Sequence, residues 1–252
     1  MIDLHIHTTF SDGKLDLIDS QKCELAEYKI LSFTDHEYIF DPDEYEFINS
    51  KARFVSGVEI CCNIDGIYIE LLGYNFNAKH PQIQEIVSSA RNLRINVYKD
   101  ILQKNKINIE KIPQNPFRKD INIICKNIDK VSFWEKHNAE YKNVCYSIDY
   151  RDVINGIQKA GGTVVLAHPM ESFKDKHEKD VENLIKKMEI NTIEMITLKH
   201  NINDVVLIGR IIDKYNLQAS IGSDTHTIDI LPQIYKYNIL DRKFQWLNDL
   251  LK

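Results

Sequence analysis

The chain opens with MIDLHIHTTFSDG at residues 1–13. Apolar and polar side chains alternate through it, which predicts a short buried strand from position 2 to position 6. Side chains two positions apart on a strand point to the same face. His5 and His7 therefore project from the same face, with their Cβ atoms about 7 Å apart. Asp12 follows in a Ser-Asp-Gly turn. Two imidazoles and a carboxylate are costly as packing and are typical of a metal site.

The composition is that of an ordinary globular protein. The chain has 252 residues, 43% apolar and 27% charged, which suits one barrel-sized domain or two small ones. The net charge of -5 gives no reason to expect stable binding of duplex nucleic acid. No run of about 18 apolar residues occurs, so no membrane span is expected. The N-terminus shows no basic-then-apolar signal segment, and we predict a cytoplasmic location.

Strand and helix patterns alternate along the rest of the chain. Seven strands are predicted, at about 2–6, 30–36, 54–60, 67–74, 163–167, 192–196 and 218–222. Helices are predicted at about 15–29, 43–52, 81–105, 149–160, 179–188, 203–215 and 241–251. Asp65-Gly66 predicts a hairpin between the third and fourth strands. The alternation favours an α/β fold with a mainly parallel sheet, and the length favours a barrel.

The segment from about 106 to 150 interrupts this alternation. Pro113 and Pro116 break its periodicity, and aromatic residues are scattered through it. We interpret it as a small, mostly helical insertion within a single domain that spans residues 1–252.

Histidines and carboxylates recur at the carboxyl ends of the predicted strands. They are His5, His7, His36, Glu59, His168, Asp224 and His226. In a barrel these ends converge on one face, where catalytic residues collect. A lone histidine there is usually a solvated or hydrogen-bonded side chain, and a lone aspartate before a helix is usually an N-cap. The combination instead predicts a mixed nitrogen and oxygen site for divalent metals such as Mn, Zn and Fe.

Five motifs built from these residues resemble those of the PHP (polymerase and histidinol phosphatase) superfamily. They are DLHIHTTFSDG, FTDHE, SGVEI, LAHP and GSDTH, and they occur in the family order over nearly the whole chain. The resemblance implies a distorted seven-stranded (β/α) barrel of the PHP type, with up to three metals at its C-terminal face. It also implies ligand sets: His5, His7, Glu59 and Asp224 for one metal; Asp12, His36 and His226 for another; Glu59, His168 and position 70 for a third.

Position 70 is where the chain departs from the family pattern. The family usually carries a histidine shortly before a Leu-Gly pair, whereas this chain reads IYIELLGY and has Glu70 there. A carboxylate is a harder ligand and adds a negative charge, which favours Mn, Fe or Mg. We predict Glu70 as a ligand, and expect two or three divalent ions: Mn, Zn or Fe, with Mg as a further candidate. The alternatives are a weak or empty third site, or a glutamate that faces solvent on an edge strand.

Four further residues are candidates for binding and catalysis. Arg91 and Arg94 lie on the predicted helix after the fourth strand, where related sequences often carry arginines, and guanidinium groups suit bidentate phosphate binding. An exposed helix face with solvated charges is the alternative. His200 follows a strand and is the candidate proton donor to a leaving oxygen. Asp35 is predicted either to orient a neighbouring histidine or to cap the next segment.

The resemblance implies a metal-dependent phosphoesterase, a hydrolase in which a metal-activated hydroxide attacks phosphorus. The short TDH and SDG motifs look most like the branch that hydrolyses small phosphomonoesters such as nucleotides and nucleoside 3',5'-bisphosphates. Related members trim short oligonucleotides, which are therefore further candidate substrates. A histidinol-phosphate phosphatase and a protein-tyrosine phosphatase are alternatives within the enzyme class. An inactive metal-binding protein is the alternative outside it.

Overall fold

The structure is a computed structural model that describes residues 1–17, 28–46, 51–113, 116–125, 129–172, 178–227 and 242–251. The helix predicted at about 15–29 falls largely outside these ranges, and the helix predicted at about 43–52 is described except for positions 47–50. In the described part of the second, the chain forms a 3₁₀ helix at Pro42–Glu44. Asp41 caps this turn by accepting a hydrogen bond from the Asp43 amide.

Strands in the described ranges form two sheets. They are β1 (Ile2–Asp3), β2 (Ile30–Leu31), β3 (Arg53–Phe54), β4 (Gly57–Ile64), β5 (Ile67–Tyr74), β6 (Thr163–Leu166), β7 (Thr192–Ile196) and β8 (Gln218–Ile221). One sheet has the order β1-β2-β3 with parallel pairing. The other has the order β4-β5-β6-β7-β8. In it, β5 pairs antiparallel with β4 and with β6, and the remaining pairs are parallel. The α/β class and the hairpin are confirmed.

The two sheets are not closed into one barrel, so the expected seven-stranded barrel is not shown. The predicted third strand is divided, since its first residues pair with β2 and its later ones, from Gly57, pair with β5. Individual contacts join the ends of the sheets. The Asp224 amide donates to the His5 carbonyl at 2.7 Å, and His36 forms an isolated parallel bridge with Glu59. The strand ends that carry the candidate ligands are therefore side by side.

Six α-helices accompany the sheets in the described ranges. They are α1 (Pro81–Lys104), α2 (Arg118–Ile124), α3 (Lys130–Tyr146), α4 (Tyr150–Lys159), α5 (Glu178–Met188) and α6 (Ile202–Tyr215). His80, Asp149 and Asn201 cap α1, α4 and α6 by accepting backbone N–H groups. The tail, predicted as a helix, is a 3₁₀ helix at Arg242–Leu251. No helix in the described ranges is long and apolar enough to cross a membrane.

The segment that interrupts the alternation contains α2, α3 and a 3₁₀ helix at Ile109–Lys111. Tyr98 and Leu102 of α1 are buried with Ile121 and Trp134 in a separate apolar cluster. This burial attaches the segment to α1. The segment also reaches the chain that follows β2, because the ring centroid of Phe117 lies 6.2 Å from that of His36.

Candidate metal centre

The structure brings together all nine side chains predicted as metal ligands. They fall into four overlapping groups, within each of which one ligand atom of every member lies within 4.8 Å of the others. The groups are His7, Asp12, His36 and His226; His5, His168 and Asp224; His5, His7 and Glu59; and His36, Glu59 and Glu70. We call these nine residues the histidine–carboxylate cluster. Metal binding by the cluster stays a prediction.

Backbone pairing explains why the first and last motifs of the chain meet. The extended segment after β1 runs beside the segment after β8, and the His7 amide donates to the Thr225 carbonyl at 2.9 Å. This pairing sets Asp224 opposite the two histidines, with its Oδ1 3.5 Å from His5 Nε2 and 3.1 Å from His7 Nε2. Both imidazoles are fully buried. Chain direction and strand register thus bring residues more than 200 positions apart into one site.

Glu59 lies at the centre of the cluster. Its Oε1 is 3.4 Å from His5 Nε2 and 3.3 Å from His168 Nε2, and its Oε2 is 3.2 Å from both His7 Nε2 and His36 Nδ1. Both oxygens are buried, and no N–H or O–H group of the described residues meets either with hydrogen-bond geometry. Because an isolated buried carboxylate is costly, this position requires neighbouring positive charge.

The pKa values of the histidines and of Glu59 are shifted by their mutual attraction. Burial alone would lower the pKa of His7, but Asp224 and Glu59 raise it to about 10. Burial opposes the same effect at His168, where Glu59 and Glu70 raise the pKa to about 9. Burial would raise the pKa of Glu59, but the histidines around it hold that pKa well below its usual range. Without metal, protons on His7 and His168 would supply part of the positive charge that divalent ions would otherwise supply.

Glu70 belongs to the cluster and does not face solvent, since its side chain is 13% exposed. Its Oε2 is 3.3 Å from His168 Nε2, and the hydroxyl of Tyr68 donates to its Oε1. Burial, and next the charge of Glu59, raise the pKa of Glu70. The edge-strand alternative is not observed, because β5 lies between β4 and β6.

Sequence reasoning missed Glu194, a buried carboxylate on β7 behind the cluster. Its Oε1 accepts from His5 Nδ1 at 2.9 Å, and its Oε2 accepts from the His168 amide at 2.8 Å. The first bond leaves the Nε2 atom of His5 turned toward Glu59 and Asp224, which is how a carboxylate orients a ligand histidine. The available signal was a glutamate inside the apolar strand TIEMI.

Asp35 acts on the cluster through the loop after β1. It accepts hydrogen bonds from the Thr8 amide at 2.8 Å, from the Thr8 hydroxyl at 2.6 Å and from the Ser11 hydroxyl. The Ser11 oxygen lies 3.3 Å from His7 Nδ1. These contacts link Asp35 to His7 through Ser11, and the orienting role of Asp35 stays a prediction.

Arg91 and Arg94 both contact the residue that follows His36. Arg91 donates from Nε and Nη2 to the Glu37 carbonyl at 3.0 and 2.7 Å. Arg94 forms an ion pair with the Glu37 carboxylate and is 4% exposed, and its phosphate-binding role stays a prediction. Glu37 has a φ of 45°, a left-handed conformation that needs support in a residue other than glycine. The arginines supply that support; an anchoring role for Arg91 stays a prediction.

Two residues of the loop after β7 lie beside the cluster. Lys199 Nζ is 3.3 Å from Asp224 Oδ2, and its side chain is 37% exposed. His200 donates from Nδ1 to the Met195 carbonyl at 3.0 Å, and burial lowers its pKa. A neutral ring that donates from Nδ1 presents Nε2 as an acceptor. A role for His200 as the proton donor stays a prediction.

Comparisons with known proteins agree with this fold. No family model matches the chain. A 5'-3' exoribonuclease of Haemophilus influenzae is 25% identical over 244 residues, which cover 89% of each chain. An amidohydrolase from Chromobacterium violaceum, solved with bound sulfate and no metal, has a TM-score of 0.67 at 22% identity over 90% of this chain and 88% of its own. A protein from Bifidobacterium adolescentis described as a metal-dependent phosphoesterase has a TM-score of 0.70 at 18% identity over 89% and 87%. This chain shares the fold of the two solved structures.

Proposed function

We propose that this protein is a metal-dependent phosphoesterase of the PHP type, on a distorted barrel, that hydrolyses small phosphomonoesters. Nucleotides and nucleoside 3',5'-bisphosphates are the first candidate substrates, and short oligonucleotides are further ones. The observation that carries the proposal is Glu59, whose two buried oxygens lie among four histidines without a hydrogen bond from the described residues. The similarity to an exoribonuclease and to a protein described as a phosphoesterase supports the choice of phosphate esters.

The donor set fits divalent metal ions. Four imidazole-containing groups with carboxylates between them offer the mixed nitrogen and oxygen ligands that Mn, Zn and Fe accept, and Mg is a further candidate. The residues that would hold the ions are His5, His7, Glu59 and Asp224; Asp12, His36 and His226; and Glu59, Glu70 and His168. Two or three bound ions would lower the pKa of water and neutralise charge on the phosphate.

The protein's own residues then have separate tasks. Glu194 orients His5, and Asp35 orients His7 through Ser11. Lys199 is our candidate phosphate anchor, because it lies against Asp224 and is accessible, whereas Arg94 is buried in an ion pair. An ammonium group beside the reacting phosphate would stabilise the charge that develops during hydrolysis. Since His200 presents an acceptor, we assign the proton for the leaving oxygen to water.

A metal-supplemented substrate screen tests the proposal. Protein stripped with a chelator is supplied in turn with Mn, Fe, Zn and Mg. It is then assayed on p-nitrophenyl phosphate, AMP, adenosine 3',5'-bisphosphate, a short 5'-phosphorylated oligonucleotide, histidinol phosphate and a phosphotyrosine peptide. We expect release of inorganic phosphate, with higher kcat/KM for nucleotides than for the last two substrates. Ion binding without turnover under any condition would favour the inactive metal-binding protein instead.

The variant Lys199→Met tests the anchor within the same screen. It should lower kcat/KM about tenfold or more, because an ammonium group close to the phosphate is lost. Lys214→Met is the matched control, since Lys214 Nζ pairs with Glu182 at 2.5 Å on the surface of α6 and away from the cluster. Equal effects of the two substitutions would refute the assignment of Lys199.

A further inference from the structure

Phe10, Tyr38 and Arg91 form a layered stack beside the histidine–carboxylate cluster. The rings of Phe10 and Tyr38 are almost parallel, with centroids 4.3 Å apart and an interplanar angle of 6°. The Cζ atom of Arg91 lies 5.7 Å from the centroid of the Tyr38 ring. We call the two rings the Phe10–Tyr38 stack.

The Phe10–Tyr38 stack belongs to the two loops that carry candidate ligands. Phe10 lies between His7 and Asp12, and Tyr38 comes two residues after His36. Both loops are fixed in place: the Phe10 amide donates to the Thr8 hydroxyl oxygen at 3.1 Å, and the Tyr38 amide donates to the Asp35 carbonyl at 3.3 Å. Each ring is thus three residues or fewer along the chain from a candidate ligand.

The two rings differ in support and exposure. Tyr38 is partly buried, and its hydroxyl is hydrogen-bonded to that of Tyr45. Phe10 sits in a turn with 36% of its surface exposed. A partly exposed aromatic ring costs solvation and offers a flat apolar face. A planar ligand group would extend the parallel order that Tyr38 and Phe10 already have.

We propose that the Phe10–Tyr38 stack is the subsite for the nucleobase of a nucleotide substrate, whose phosphate lies at the cluster. This inference rests on the proposed phosphoesterase function and adds the feature that separates nucleotides from other phosphomonoesters. Stacking on a ring is sequence-tolerant, because every base has a π-face. The subsite therefore selects a planar base over a bare sugar, with weak preference among the four bases.

The test compares two substrates that share a sugar phosphate and differ in the base. For wild-type protein with its most effective metal ion, kcat/KM is measured for AMP and for ribose 5-phosphate. We expect the ratio of the two values to fall about tenfold in Phe10→Ala, which is the usual size of a lost base–aromatic stack. Phe10→Tyr keeps a flat ring and should retain the wild-type ratio, whereas Phe10→Leu keeps apolar volume without a ring and should not.

Leu93→Ala is the matched control, because Leu93 on α1 is a large apolar side chain with the same 36% exposure. It should leave the ratio unchanged. A ratio that is the same in wild type and Phe10→Ala would overturn the proposal. So would an equal loss for both substrates, which indicates a loop distorted by the substitution, and so would full retention by Phe10→Leu.

A binding measurement keeps this inference separate from the phosphoesterase proposal. Isothermal calorimetry of AMP and of ribose 5-phosphate, on the same variants with the metal present, needs no turnover. If wild type hydrolyses neither substrate but binds AMP about tenfold more tightly than Phe10→Ala does, the subsite stands and the phosphoesterase proposal fails. If both substrates are hydrolysed and the two proteins bind AMP equally, the subsite fails alone.

Discussion

The substitution Glu194→Gln tests the carboxylate that supports the cluster from behind. Its oxygens have separate partners, His5 Nδ1 at 2.9 Å and the His168 amide at 2.8 Å, and both partners are N–H donors. A glutamine occupies almost the same volume, but one of its two terminal groups is an NH₂ that cannot accept a hydrogen bond. Either the His5 ring or the His168 amide must then face a donor.

The magnitude follows from the burial of these groups. A buried donor that loses its acceptor costs about 1–3 kcal/mol, which for a chain of this size lowers Tm by about 2–4 °C per kcal/mol. Loss of the carboxylate that orients a ligand histidine typically lowers metal affinity about 10–100-fold. We therefore expect Glu194→Gln to be folded, moderately destabilised and strongly impaired in binding Mn²⁺.

Calorimetric titration with Mn²⁺ and thermal unfolding measure the two effects on the same samples. Glu182→Gln is the control, because Glu182 is also a buried carboxylate but pairs with Lys214 and with the Tyr215 hydroxyl, at 2.5 and 2.9 Å. It should leave Mn²⁺ affinity unchanged. Wild-type affinity in Glu194→Gln, or an equal loss of affinity in Glu182→Gln, would refute the reasoning.

Three further outcomes are expected. Gly222→Ala should destabilise the protein by about 1–3 kcal/mol and weaken metal binding in calorimetry, because the new Cβ would lie 2.1 Å from the Cβ of His5; wild-type stability would contradict this. The pKa of His7 is raised from 6.5 to about 10 in the folded state, so its contribution to stability is complete below pH 6.5 and is lost as pH rises through 10. Tm of chelator-treated protein should thus fall over that range, and a flat profile would count against protonated histidines. Arg94→Met should lower the free energy of unfolding in urea by about 3–5 kcal/mol, because it leaves the buried Glu37 carboxylate without its cation. Arg91→Met is the comparison. It should lower the free energy of unfolding less, because it removes only hydrogen bonds to the Glu37 carbonyl.

The residues of the cluster could be predicted from the sequence because each lies in a local pattern that indicates a strand or the end of one. His5 and His7 show the two-residue period of a strand, and Glu59 and Asp224 also follow strand patterns. Parallel strands place their carboxyl ends at one edge, so residues far apart in sequence converge without knowledge of the detailed packing. The resemblance to a known family then implied which carboxylate lies at the centre.

Features that depend on long-range contacts were not predictable. Arg91 and Arg94 read as phosphate anchors on a helix face, but the partner of both is Glu37, 54 residues before Arg91. Glu194 lies within a predicted strand, and its sequence neighbours do not indicate that it contacts His5 and the His168 amide. The division of the third predicted strand reflects pairing with two different sheets, which sequence periodicity does not record.

The proposed function requires that the cluster hold divalent ions and that these ions take part in hydrolysis of a phosphate ester. The most direct test is release of inorganic phosphate from AMP by chelator-treated protein titrated with Mn²⁺, for wild type and for Glu59→Gln, with circular dichroism to show that both are folded. We predict activity that rises with Mn²⁺ and saturates in wild type, and a loss of at least about 100-fold in Glu59→Gln. Equal phosphate release by the two proteins, or release that does not depend on added metal, would contradict the account.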